Sequence, residues 1–194
     1  IRIDTLNEEM VKKIYQSNCS YINLALENGD GEVLRSMKKK LDLSKVTDVV
    51  RLFAKYKIPV KCFAIYGYPG ETSERFENAC AFYKYLKSIL PSLEFSFFIA
   101  QPYPGTKLYT KCLKEGYIEE GLFCKLETIS RISTSDTYYI TTPDFDQAEI
   151  KRRGTILKKT FSQNIYIREK IKHLLPQRVI PTLRNAYHIM KHQV

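Results

Sequence analysis

Three apolar runs, Tyr21–Leu26, Val60–Tyr66 and Leu93–Ala100, each lead into a short loop containing glycine and then into a stretch with helical spacing of apolar residues. A buried strand, a loop and an amphipathic helix in repeated order are the pattern of βαβ units, whose right-handed crossovers give a parallel sheet. The chain is therefore expected to fold as α/β. Loops that follow the carboxyl ends of parallel strands gather on one rim, so unusual residues in those loops should share one site.

The helices are marked by caps and periodicity. Asn7 is placed to cap a helix running to about Ser17, with Glu8 and Glu9 in the first turn where the helix dipole favours acids. Val33, Leu34, Met37 and Leu41 mark a second helix. A third, with Ser44 as its expected cap, carries Val46, Val49, Val50, Phe53 and Tyr56, and Lys55 and Lys57 close its last turn. Phe76, Ala79, Cys80, Tyr83, Leu86 and Leu90 line one face of a long helix that Pro91 ends, and another runs from Lys107 to Gly116. Past Gly121 the pattern weakens. Tyr138 to Ile140 reads as an edge strand, Pro143–Asp144 as a boundary, and residues 146 to 194 as helices divided by Pro176 and Pro181. The expected division is an α/β unit over residues 1–127 and a mostly helical, basic extension over 128–194.

With 194 residues and 44% hydrophobic content the chain can bury a core. No apolar run approaches the roughly 20 residues that span a bilayer, and Ile1-Arg2-Ile3-Asp4 lacks the layout of a secretory signal, so the chain reads as cytoplasmic. Those four residues look like the end of a strand, and the chain is expected to begin inside a larger protein. Cys19, Cys62, Cys80, Cys112 and Cys124 match no zinc, haem or iron-sulfur spacing and read as isolated thiols. The net charge of +10 is concentrated at one end: residues 146 to 194 hold 11 basic and 3 acidic side chains. Such a segment suits nucleic acid, an anionic membrane surface or an acidic neighbouring domain, and equally a solvated helical face.

Chemistry is concentrated in the three loops. Glu27 ends the first strand beside Asn28 and Gly29, where a carboxylate can accept two hydrogen bonds from a ribose diol; capping the next helix or pairing with a lysine are the plainer readings. Gly67-Tyr68-Pro69-Gly70-Glu71-Thr72 lets backbone approach a ligand at its glycines and opens a helix with free amides. It lacks the Gly-Lys-Ser or Gly-Lys-Thr of a phosphate-cradling loop and the Gly-x-Gly-x-x-Gly of a dinucleotide fold, and a tight turn accounts for it equally well. Pro102-Tyr103-Pro104-Gly105-Thr106 is stiffened by two prolines and aims an aromatic ring from a strand end, either toward a ligand or against the protein surface.

In order along residues 1 to about 120, these segments resemble the radical S-adenosylmethionine superfamily. The resemblance rests on Arg2-Ile3-Asp4, on Leu24-Ala25-Leu26-Glu27-Asn28-Gly29 with Val33-Leu34 and Met37-Lys38-Lys39, on Gly67 to Thr72, and on Pro102 to Thr106. It is closest to the branch whose members often carry a cobalamin-binding domain, and the Pro-Tyr-Pro-Gly-Thr loop is its most branch-specific part. The resemblance implies the second half of a (β/α)6 partial barrel followed by a helical C-terminal region. It implies S-adenosylmethionine and a four-iron, four-sulfur cluster as cofactors, with cobalamin as a third. Glu27 and Asn28 would meet the cofactor ribose, Arg2 its carboxylate or ribose, Gly67, Pro69, Gly70 and Glu71 its adenine, and Tyr103 adenine or substrate. Relatives commonly read Gly-Ile-Glu-Ser-Gly where this chain has Ala25-Leu26-Glu27-Asn28-Gly29.

The family's Cys-x3-Cys-x2-Cys cluster motif is not in this sequence and is expected upstream of Ile1, in the N-terminal part of the same protein. The chain alone is then a fragment of an iron-sulfur enzyme that does not turn over by itself. The class of substrate, a small molecule or a lipid-like one, stays open. Two other readings stand beside it: a non-catalytic module that binds nucleic acid or an anionic membrane through residues 146–194, and a barrel that binds a nucleoside without radical chemistry.

Overall fold

A computed structural model of the protein describes residues 1–19, 21–122 and 138–162. Its centre is a three-stranded parallel sheet in the order β1 (Ile22–Glu27), β2 (Val60–Tyr66), β3 (Glu94–Ile99). Consecutive strands are neighbours and each is followed by a helix at its carboxyl end, the arrangement of one segment of a (β/α) barrel wall. At the outer edge, Ile1 and Arg2 lie along β1: Arg2 bridges Ala25 in parallel, and the Ala25 N–H donates to the Ile1 carbonyl at 3.3 Å.

Side-chain alternation separates two faces. Leu24, Leu26, Val60, Cys62, Ala64 and Phe95 point into the core, where α3 (Leu43–Lys55) and α4 (Ser73–Ile89) supply Val46, Val49, Val50, Phe53, Tyr83 and Leu86. Each large apolar side chain so buried is worth about 1.5–3 kcal/mol, which makes this layer the main source of stability. The opposite face carries Ala25, Phe63, Ile65 and Phe98, and Phe98 is 47% exposed with its ring edge-on to Phe63 at 5.6 Å.

α1 (Glu8–Gln16) is capped by Asn7, whose side chain accepts from the Met10 N–H. α2 (Gly31–Ser36) is shorter than its apolar spacing predicts, and Leu41 lies outside it. Its cap is Asp30, which accepts from Glu32 and Val33, so Glu27 is not the cap. The third helix also starts earlier than expected. Asp42, two residues before Ser44, caps it by accepting from the Ser44 N–H, which puts Ser44 inside the first turn.

α5 (Lys107–Lys114) follows β3, and α6 (Gln147–Phe161) returns to the sheet. Phe161 of α6 meets Tyr83 and Phe95 at ring-centroid distances of 5.7 and 5.9 Å, which seats the end of α6 beside α4 over β3. Tyr138 to Ile140 form no strand; the backbone there instead places the Thr141 N–H on the Tyr117 carbonyl at 3.0 Å, and Thr142 pairs with Phe145 across a turn. The expected boundary at residue 127, Cys124, and the helices beyond Ser162 lie outside the described residues. Among those described, no helix is long and apolar enough to cross a membrane.

Candidate functional site

A cavity of about 550 Å³ opens at the carboxyl ends of the three strands. Glu27 from β1, Ile65 and Tyr68 from β2 and its loop, Phe98 to Gln101 and Tyr103 from β3 and its loop, and Met37 and Lys39 from the segment after α2 line it. The wall is mostly apolar and aromatic with a single carboxylate and a single ammonium, the composition of a small-molecule site.

Glu27 is held in an unusual conformation. Its φ is +67°, and the Asn28 N–H donates to the Leu26 carbonyl at 2.9 Å, which closes a three-residue turn around it. A side chain in this left-handed turn costs about 1–3 kcal/mol and persists only where its surroundings over-determine it. The register with β2 shifts between Ala25 and Glu27, so the strand kinks as it leaves the sheet. The carboxylate is mostly covered and accepts from the Lys39 ammonium at 2.6 Å. Lys39, which sequence reasoning cited only within a motif, is thus the cation that faces the acid at the site.

The other two loops share one design. Tyr68-Pro69-Gly70-Glu71 and Tyr103-Pro104-Gly105-Thr106 each place proline second and a positive-φ glycine third, and each is closed by a hydrogen bond from the fourth N–H to the first carbonyl, at 2.9 and 3.1 Å. That is a type II turn. A threonine then caps the helix, Thr72 on the Arg75 N–H and Thr106 on the Tyr109 N–H, both at 3.2 Å. The turns leave Tyr68 and Tyr103 on the cavity wall, Tyr103 being 48% exposed and Lys111 lying 5.8 Å from the Tyr68 ring centre. Gly70 accepts from Arg75 at 2.6 Å through its carbonyl, and Pro69 is buried.

Beneath the wall lies a buried polar network that links the loops. Asn28 donates through its amide to the Ile65 carbonyl at 2.9 Å and to Glu71 Oε1 at 3.0 Å, and its own Oδ1 accepts from the Asp30 N–H. Glu71 Oε2 accepts from the Gly67 N–H at 2.7 Å. Burial pushes the Glu71 carboxyl up to about 7, against the pull of the Gly67 N–H, the Asn28 amide and Arg153. Arg153, on α6, is fully buried; its Nη1 donates to the Glu71 carbonyl at 2.7 Å and lies 3.4 Å from Oε2, while its Nε donates to Glu149 Oε1 at 2.9 Å. Its guanidinium stands over the Phe76 and Phe145 rings at 5.1 and 5.5 Å.

The eight residues named from sequence therefore divide. Glu27 and Tyr103 line the cavity, Asn28, Gly67 and Glu71 make the network beneath it, and Pro69 and Gly70 form the turn that presents Tyr68. Arg2 stands apart: it is exposed and its guanidinium pairs with Asp4 at 2.6 Å. Arg153 was missed, since one arginine in a basic helix carries no signal of burial. Cys19, Cys62, Cys80 and Cys112 are free thiols, and burial pushes Cys62 up to about 12, so it stays a protonated apolar group. Among the described residues no three of His, Cys, Asp and Glu gather as a metal site.

Residues 1–83 match the family described as the Radical SAM superfamily. The chain is 29% identical over 124 residues to a cytidylyl-2-hydroxyethylphosphonate methyltransferase of Streptomyces wedmorensis, covering 61% of this chain and 23% of that protein. It is 28% identical over 109 residues to an uncharacterised methyltransferase of Pyrococcus horikoshii, covering 56% and 23%. With a probable threonylcarbamoyladenosine tRNA methylthiotransferase of Methanocaldococcus jannaschii it shares 34% identity over 85 residues, 41% of this chain and 19% of that one. The chain spans less than a quarter of the length of these relatives.

Proposed function

We propose, from the match of residues 1–83 to the Radical SAM superfamily, that the cavity at the strand ends holds the adenosyl part of S-adenosylmethionine for a methyl- or methylthio-transfer reaction. One observation carries the reading: Glu27, Tyr68 and Tyr103, from three separate loops, line a single cavity of about 550 Å³. The residues fit the group. Glu27 offers a carboxylate to a ribose diol, Tyr68 and Tyr103 offer ring faces to a purine, and Lys39 can exchange its bond to Glu27 for one to the carboxylate of the methionine moiety. Phe98, Ile65 and Met37 exclude water around them.

Bound to a reduced four-iron, four-sulfur cluster, S-adenosylmethionine supplies a radical that starts the chemistry of the superfamily. A Cys-x3-Cys-x2-Cys motif is not in this sequence, so we assign that step to a protein in which this chain is joined to one. This chain contributes the wall that binds and orients the adenosyl group. Transfer of a methyl or methylthio group follows the names of the relatives, and cobalamin as a further cofactor follows the branch resemblance alone.

The test is to join this chain to its upstream coding region, reconstitute iron and sulfide without oxygen, and assay dithionite-dependent release of 5′-deoxyadenosine, methionine or S-adenosylhomocysteine. Release of any of these supports the reading. A protein that takes up no cluster and leaves S-adenosylmethionine intact contradicts it.

A further inference from the structure

Glu27 keeps its left-handed turn although nothing in its own side chain favours one, so the constraint must come from its neighbours. The nearest is Asn28, whose amide is fixed at both N–H positions, on the Ile65 carbonyl and on Glu71 Oε1. Glu71 is fixed in turn by the Gly67 N–H on its other oxygen and by Arg153 at its carbonyl and Oε2. Three donors, the Asn28 amide after β1, the Gly67 N–H of the second loop and the Arg153 guanidinium of α6, thus converge on one carboxylate that is closed to solvent.

Every partner of that carboxylate is a donor. All of these bonds form together only when both oxygens are free of protons, a state that a neighbouring cation favours against the cost of burial. Arg153 is that cation. Among the described residues it is the one cation within ion-pair distance of Glu71; the other ionisable groups there that act on Glu71 or are acted on by it are the thiol of Cys80 and the phenol of Tyr83 on α4, and Glu149 touches it only through Arg153. Ser73 adds a contact at 3.4 Å to the other guanidinium nitrogen.

We propose that Arg153 is a positioning residue for Glu27: through Glu71 and Asn28 it holds the cavity acid in its turned conformation, which makes α6 part of the ligand-binding unit. The inference rests on the reading of Glu27 as the ribose acid. With Arg153 removed, Glu71 takes up a proton. That proton sits on an oxygen that faces either Asn28 or Gly67, so one of the two bonds is lost and the turn at Glu27 relaxes. Lysine in its place keeps a charge but cannot hold Glu149 and the Glu71 carbonyl together, since it lacks the planar fork.

Isothermal titration of the chain with S-adenosylmethionine between pH 6 and pH 9 tests this, on wild type, Arg153→Met, Arg153→Lys and Glu27→Gln, each checked for fold by circular dichroism. Expected is a loss of affinity of about tenfold in Arg153→Met at neutral pH, the scale of one hydrogen bond to a charged group, with its binding curve displaced to higher pH than that of wild type. Arg153→Lys should fall between them. A merely structural contact would lower affinity or stability without moving the pH dependence. If Arg153→Met does not fold, Arg153→Lys and the wild-type pH curve decide: a wild-type affinity that is flat from pH 6 to pH 9, with Arg153→Lys equal to it, overturns the proposal. Failure of the functional reading looks different, since wild type would then not bind at any pH or Glu27→Gln would bind as well as wild type.

Discussion

The guanidinium of Arg153 lies 2.7 Å from the carbonyl oxygen of Glu71 and 3.4 Å from its carboxylate, with both side chains closed to solvent. Eighty-two residues separate them. Through this pair the helix at residues 147 to 161 is tied to the loop that follows the middle strand.

Removing one partner of such a buried pair leaves the other uncompensated. Arg153→Met should therefore destabilise the fold by about 3–5 kcal/mol in urea denaturation, and the double variant Arg153→Met/Glu71→Met should cost less than the sum of the single ones. A single-variant loss under about 1 kcal/mol, the range of exposed ion pairs, would mean that the pair is not the clamp described.

Glu71 also gives a pH signature with a definite sign. Its folded value of about 7 lies above the 4.5 of an ordinary glutamate, so the folded state holds the proton more tightly than the unfolded one. By linkage its contribution to stability is fully present below about 4.5 and is lost as pH rises through about 7. The urea midpoint should fall between pH 5 and pH 8, and Glu71→Gln should flatten that fall. Glu149, held by Arg152 down to about 2, works in the opposite direction but only in strong acid, outside this window.

Gly29 and Gly67 each sit where an added side chain would strain the fold. A Cβ on Gly29 would stand 2.9 Å from the Ala79 carbonyl and 2.8 Å from the Tyr83 ring, and the Gly29 N–H also donates to the Tyr83 hydroxyl at 3.0 Å. Gly29→Ala must move α4 or the Glu27 loop and should lower stability by about 1–3 kcal/mol, as overpacking does. Gly67 has φ +72°, so Gly67→Ala should cost about 1–2 kcal/mol from the left-handed backbone, with further crowding of Ile150 at 3.0 Å. Thermal melts of both variants check this.

Tyr103 is half exposed and outside the core, so Tyr103→Ala should leave the melting temperature within the small range of surface changes, about ±0.5 kcal/mol. Ligand affinity should nevertheless fall several-fold. Unchanged affinity would remove Tyr103 from the site.

Much of this was legible in the residues where local rules act alone. Val60 to Tyr66 alternates buried and half-buried residues between a proline and a glycine, and it is β2 to the residue. Asn7 caps its helix as its place before two glutamates announces. Ser44 lost to Asp42, and Tyr138 to Ile140, apolar and aromatic, found no strand to pair with. The three loops were legible as one rim because parallel strands place them there. What stood beneath the rim was not. Glu71 read as a residue facing ligand, whereas its motif position serves to bind Asn28 and Gly67, and Arg153 read as one charge in a basic tail. Their meeting depends on α6 crossing the sheet, a long-range contact that no local spacing announces.

The most direct measurement is calorimetric titration of S-adenosylmethionine into the wild-type chain and into Glu27→Gln at pH 8. Saturable one-to-one binding by wild type, weakened at least about tenfold when the carboxylate becomes an amide, is the expected result. Equal binding by the two proteins, or no heat from either, would contradict the assignment of this cavity to an adenosyl group.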